Sequence, residues 1–190
     1  MRCRVRRSTA SARQRIISKT KRIMSLPRGI RNNNPLNIRR TGKDQWKGLS
    51  KTQSDRSFCQ FETLEWGWRA AFYLLTRTYY HKYRLYTIRG IVSRWAPSSE
   101  NDTRAYIANV SRLTGIDPDE PIGIPSEKPA RWMMVGVAMA IQENGLIKRE
   151  QSDARISSAE REDGRPKVNG TTSIDWFAML KGWELCRQDV

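Results

Sequence analysis

Arg28-Gly29-Ile30-Arg31-Asn32-Asn33-Asn34-Pro35-Leu36-Asn37-Ile38-Arg39 is the stretch around which the rest of the chain is organised. Its centre reads as neither helix nor strand. The residue before a proline is pushed out of the α region, so the run Asn32-Asn33-Asn34 cannot carry a helix through Pro35. Asn side chains bond nearby backbone and tolerate left-handed dihedrals, so they build tight turns. A run this polar between apolar positions is either an ordinary surface turn or a loop held in one shape for a purpose.

Downstream of the loop, Asn37-Ile38-Arg39-Arg40 is short enough for a strand. Gly42, Trp46 and Gly48 mark a turn-rich segment, and Ser57-Phe58-Cys59-Gln60-Phe61 alternates as a second strand. The two predict a small β-hairpin over 36–61. Helical spacing then takes over. Trp68, Phe72, Leu75 and Tyr79 fall on one helix face behind Thr63 as N-cap. Thr87 caps a short helix that buries Ile88, Ile91, Val92 and Trp95 and stops at Pro97. Asn101 or Asp102 starts the next, with Tyr106, Val110 and Leu113 inward and Gly115 as its stop. Residues 116–129 hold four prolines and read as an extended connection. Pro129 opens the last core helix, which carries Met134, Val137, Ala138 and Ile141 inward and ends at Asn144-Gly145. Residues 149–169 are polar, and 173–187 form a short amphipathic helix through Trp176, Leu180 and Trp183, which docks on the core or on a partner.

Composition bounds the rest. The 190 residues suffice for one domain with a core. No apolar run approaches the roughly 20 residues of a membrane span, and the basic N-terminus lacks the apolar stretch of a secretory signal. Cys3, Cys59 and Cys186 have no metal-like spacing and read as reduced thiols. The single His81 has no second histidine or cysteine near it in sequence, which argues against a metal site or a Ser-His triad. The net charge of +16 is uneven: residues 1–23 carry nine Arg or Lys and no acid, 24–148 carry +8, and 149–190 carry −1. The basic tail reads as disordered and drawn to polyanions. Met24-Ser25-Leu26-Pro27 also reads as a natural start, which makes 1–23 an upstream extension. The expected layout is an N-terminal extension over 1–26, a core over 27–148, and a linker with a short helix over 149–190.

Glu143 is the first candidate for chemistry. It ends an apolar helix and lies at the negative end of the helix dipole. Both features disfavour its charged form, which suits a general acid near neutral pH. The competing reading is a solvated carboxylate in a frayed last turn. Asp44 and Asp55 in the hairpin, and Glu62 at a helix start, are candidates for a second carboxylate, or else caps and surface charges. Trp46 sits where a core role is less automatic, and an indole face suits a sugar ring. Trp68 and Trp95 are assigned to the core. Gly67 and Gly136 read as packing choices.

The Arg28-to-Arg39 stretch resembles the RGIRNNNPxNIR signature of phage and prophage proteins of the virion-structural or lytic kind. The likeness continues through Phe58-Cys59-Gln60-Phe61-Glu62-Thr63 with Gly67, Arg69 and Ala70. It goes on through Arg94-Trp95-Ala96-Pro97 and Glu100-Asn101-Asp102-Thr103 with Tyr106, and ends at Glu143-Asn144-Gly145. The chain is also similar, in a different order, to bacterial glucosaminidases of the lysozyme superfamily. In those a helix ending in the catalytic Glu precedes an Asn-rich loop and hairpin. Here residues 135–145 resemble that helix moved to the end, as in a circular permutation.

The resemblance implies a mainly α, single lysozyme-like domain of about five helices with a small β-hairpin. It implies cleavage of the peptidoglycan glycan strand, by hydrolysis or lytic transglycosylation, with Glu143 as general acid. Asp44, Asp55 or Glu62 would serve a looser second role. Asn33, Asn34, Asn37, Asn101, Tyr106 and Trp46 are the implied substrate contacts. No metal and no cofactor are implied. The implied partners are peptidoglycan and phage virion components, and the implied place of action is the virion or the cell wall, reached without a signal peptide. Two alternatives stay open: a non-catalytic virion protein that binds wall or capsid subunits, and a basic nucleic-acid-binding protein. Nucleic acid is not expected as a partner beyond the 1–23 tail.

Overall fold

A computed structural model describes residues 26–145 and 174–188. The expectations for the basic tail 1–23 and the polar segment 149–169 lie outside the described residues. The fold is mainly α. A single turn, α1 (Arg28–Arg31), precedes the Asn loop. Then come α2 (Leu64–Tyr73), a π-helical continuation (Leu74–Lys82), α3 (Ile88–Trp95), α4 (Thr103–Thr114), α5 (Pro129–Asn144) and α6 (Trp176–Arg187).

The caps follow from local chemistry. Thr87 Oγ1 accepts from the Gly90 N–H at 3.1 Å, and the Asp102 carboxylate accepts from the Ala105 N–H at 3.0 Å. Each thereby satisfies an amide that the first helical turn leaves free. Gly115 and Gly145 stop α4 and α5 in the left-handed conformation, at φ 69° and 61°. Thr63 stands at the N-cap of α2 without a capping side-chain bond.

The expected β-hairpin does not form as a ladder. Among the described residues, pairing here reduces to isolated antiparallel bridges, Arg39 with Phe58 and Leu49 with Phe61. Residues 58–61 lie between two different neighbours. Cys59 N–H donates to Ile38 O, while Ser50 N–H donates to Gln60 O. Side chains take the remaining backbone groups. The Gln53 amide bonds Ser50 O, Gln60 O and the Gln60 N–H, and Gln60 Oε1 accepts from the Asp55 N–H. Strand length is therefore lost to side-chain bonds that compete for the same donors and acceptors.

The core joins all of these elements. Trp68, Phe72, Leu75, Ile88, Val110, Trp132 and Met139 are fully or almost fully enclosed, and each large side chain contributes about 1.5–3 kcal/mol by leaving water. α6 lies on α2. At Gly182 a Cβ would overlap the Trp68 side chain and stand 2.8 Å from Glu65 O, so the crossing tolerates no side chain there. Trp183 meets Phe72 edge-on, with ring centroids 5.0 Å apart. The amphipathic segment thus docks on the core, though through a different face from the one expected. Ala178, Met179, Gly182, Trp183 and Cys186 are inward, while Trp176 and Leu180 remain 59 % and 49 % exposed. On α5, Met134 likewise faces outward, 45 % exposed, and Trp132, Val135, Met139 and Ala140 fill the core instead. Cys59 and Cys186 are both buried. Burial foremost pushes the Cys59 thiol up to about 12, so it stays protonated.

Candidate functional site

The Asn run is a folded hinge between α1, the 58–62 segment and the end of α5. Asn33 and Asn37 both adopt φ 51°, the left-handed region that Asn tolerates. The side chains divide the work. Asn34 is fully buried, donates to Ile38 O and Cys59 O, and accepts from the Ile38 N–H at 2.8 Å. Asn33 donates to Phe61 O and Glu62 O. Asn32 donates to the Asp55 carboxylate at 2.8 Å. All three are therefore spent on holding the loop. Asn37 alone turns to the end of α5, donating to Glu143 O and Glu143 Oε2 at 3.3 Å each. Asn144 ties the same junction from the helix side by donating to Pro35 O at 2.8 Å. Gly29 is enclosed here. A Cβ would stand 2.7 Å from Asn34 O and 2.8 Å from Asn37 Oδ1, so the close approach needs glycine.

Glu143 is held on both oxygens. Oε1 accepts from Trp95 Nε1–H at 2.8 Å and from the Tyr106 hydroxyl at 3.0 Å, and Oε2 takes the Asn37 amide. Burial foremost, then the Glu143 charge beside it, pushes the Tyr106 phenol far above its ordinary value, so it remains a donor at any working pH. Its side chain is buried beneath the carboxylate and acts as a support rather than as an open contact surface.

The carboxylate and Asn37 open onto one groove of about 510 Å³, whose walls include Arg39, Asp44, Trp46, Phe58, Tyr79, Trp95 and Asn101. Trp46 stands edge-on to Tyr73 with centroids 6.1 Å apart, and it also borders a smaller recess beside Gln45, Lys47 and Arg69. Asp44 is the second carboxylate among the lining residues, braced by the Thr41 N–H at 2.8 Å and hydroxyl at 2.9 Å. At the rim, Arg39 reaches Glu100 at 3.2 Å.

The other two carboxylates lie elsewhere. Asp55 is committed to Arg28 through two bonds of 2.6 and 2.7 Å, to Asn32, and to the Ser57 and Phe58 amides. The Arg28 guanidinium foremost holds its carboxyl well below the usual range. Glu62 is exposed and is not a wall of the groove; its backbone N–H donates to Gly48 O. The structure thus brings Asn37, Asp44, Trp46, Asn101 and Glu143 together, sets Tyr106 behind Glu143, and uses Asn33, Asn34 and Asp55 as scaffold.

Sequence reasoning assigned Trp95 to the core and missed its Nε1–H on Glu143. An indole at the last residue of a short helix, just before Ala96-Pro97, is the signal the sequence offers. Tyr79 and Leu74 also line the groove together. They are five residues apart, a spacing that an i→i+5 helix stacks on one face and an α-helix does not. Among the described residues no group of three or more His, Cys, Asp or Glu could hold a metal ion, and no helix is long and apolar enough to cross a membrane.

No protein-family model matches the chain. It is similar to Protein P5 of Pseudoalteromonas phage PM2, with 50 % identity over 91 residues, which are 47 % of this chain and 56 % of that protein. The chain therefore spans little more than half the length of the relative it matches, and it is similar to a phage protein.

Proposed function

We propose that the chain is a phage-derived enzyme that cuts the glycan strand of peptidoglycan, built as a permuted lysozyme-like core with Glu143 as its general acid. The observation that carries this reading is the posture of one carboxylate. Glu143 sits in a groove with an indole wall, fixed by three donors from three separate segments of the chain. Because Oε1 already accepts from both Trp95 and Tyr106, Oε2 is the oxygen placed to pass a proton to a substrate. That oxygen hands the proton to the glycosidic oxygen as the C–O bond breaks. Asp44 places the water that then adds to the sugar and takes up the proton that water loses, and Trp46 offers a face to a pyranose ring. Asn37 and Asn101 supply amides for acetamido groups. The +8 charge of residues 24–148 favours approach to an anionic wall. The phage relative supports a virion-associated protein that meets the wall during infection.

Digestion of purified peptidoglycan followed by mass analysis of the soluble fragments tests this reading. Release of disaccharide-peptides supports it, and their reducing ends identify the bond cut. Fragments one water lighter than the hydrolysis product would replace Asp44's water with attack by the sugar's own hydroxyl. No release from any peptidoglycan type, with binding retained, would leave a wall-binding virion protein in its place.

A further inference from the structure

A second cavity, of about 450 Å³, lies on the other side of the π segment from the groove. The i→i+5 register explains both. Leu74 and Tyr79 face the groove, and Thr76 and His81, again five apart, face this cavity together with Arg77. The start of α5 at Pro129 and the last turn of α6, with Trp183 and Arg187, close it.

Its chemistry is one-sided. Of its nine lining residues two are arginines, one is the chain's single histidine, and none is acidic. Neither Arg77 nor Arg187 pairs with a carboxylate among the described residues. The adjoining first turn of α5 holds no acid, and its N-cap Lys128 makes no capping bond, so the positive end of that helix adds to the field. Ser126 contributes a hydroxyl, and Trp183 and Pro129 supply apolar walls. What sets the pair apart is convergence: Arg77 and Arg187 come from different helices and line the same cavity beside His81.

We propose that this cavity binds a phosphate ester, with Arg77, Arg187 and His81 on the phosphate oxygens and Trp183 against the organic part. A planar carboxylate is satisfied by one guanidinium fork, whereas donors on three separate side chains suit the three terminal oxygens of a phosphate. The volume falls within the roughly 300–1,000 Å³ of small-molecule pockets, so it accommodates an ester and not only a bare ion. The ester is either soluble or a lipid headgroup. The site is separate from Glu143 and does not depend on the glycosidase reading.

Titration calorimetry with glycerol 3-phosphate and co-sedimentation with phosphatidylglycerol vesicles, against phosphatidylcholine vesicles, test it on the full chain. The proposal expects binding in at least one arm, and which arm responds identifies the source of the ester. R77Q and R187Q each weaken it about tenfold or more, as expected for a lost charge-assisted hydrogen bond, while K51Q on the far exposed loop leaves it intact. Arg187 is exposed, so R187Q carries the test if R77Q fails to fold. Absence of binding in both arms overturns the proposal, and so does equal weakening by R77Q, R187Q and K51Q, which would reveal only general charge attraction.

Discussion

Asn37 carries two separate demands, a left-handed backbone and a donor to Glu143. They can be pulled apart. Asn37→Gly keeps the conformation and removes the amide, so thermal unfolding stays close to wild type while glycan cleavage falls. Asn37→Ala loses the amide as well and adds a conformational cost of about 1 kcal/mol, visible as a lower Tm. Trp95→Phe and Tyr106→Phe each take one donor from Glu143 Oε1, and steady-state rates on purified peptidoglycan are expected to fall about tenfold or more in each. The place of Glu143 at the end of a buried helix was legible in the sequence, because an apolar helix ending in a carboxylate and an Asn-Gly stop is an unusual pattern. Trp95 was not, because helical spacing reports which face a residue occupies and says nothing of where an indole N–H points. The same limit explains the Asn residues: four side chains of one type sit within six positions, and only tertiary contacts separate the three that hold the loop from the one that faces the groove.

Helix existence and helix ends were readable from caps, prolines and glycines, and α3, α4 and α5 begin and end close to those signals. Helix faces were less so. Reading α6 by its large residues placed Trp176 and Leu180 inward, whereas the helix approaches α2 through Ala178 and Gly182 because small residues let two backbones come close. Gly182→Ala is therefore expected to destabilise by about 1–3 kcal/mol, from overpacking against Trp68 and the α2 backbone. Leu180→Ala, exposed, changes stability by no more than about 0.5 kcal/mol. Chemical denaturation of both variants checks the order. The π continuation of α2 was also unreadable, since α spacing correctly predicts burial of Leu75 and Tyr79 yet hides the five-residue repeat that gives the segment two working faces. The hairpin expected over 36–61 gave way to Gln53, Asp55 and Gln60, whose side chains outcompete a ladder.

At the scale of the molecule, the Asn loop pins α1 and the 53–62 segment to the far end of α5, and the groove is the seam between them. Asp55 is one fastening of that seam, and its titration gives stability a pH dependence. Its folded-state carboxyl lies below the unfolded value, so the stabilisation is present above about pH 4. It is lost as pH falls through that range towards the folded value. Asp55→Asn accordingly lowers Tm at neutral pH, and the gap to wild type narrows towards pH 3. Were the gap constant across that range, the Arg28 pair would contribute nothing to the acid limb.

The role of Glu143 as general acid is tested by the initial rate of muropeptide release by Glu143→Gln against wild type, at matched concentrations of folded protein. Gln keeps the size of the side chain and an acceptor oxygen for Trp95 and Tyr106; it removes the acid and turns the atom facing the Asn37 amide from acceptor to donor. A loss of about 10²–10⁴-fold with unchanged Tm is the predicted result, and equal rates in the two proteins would contradict it.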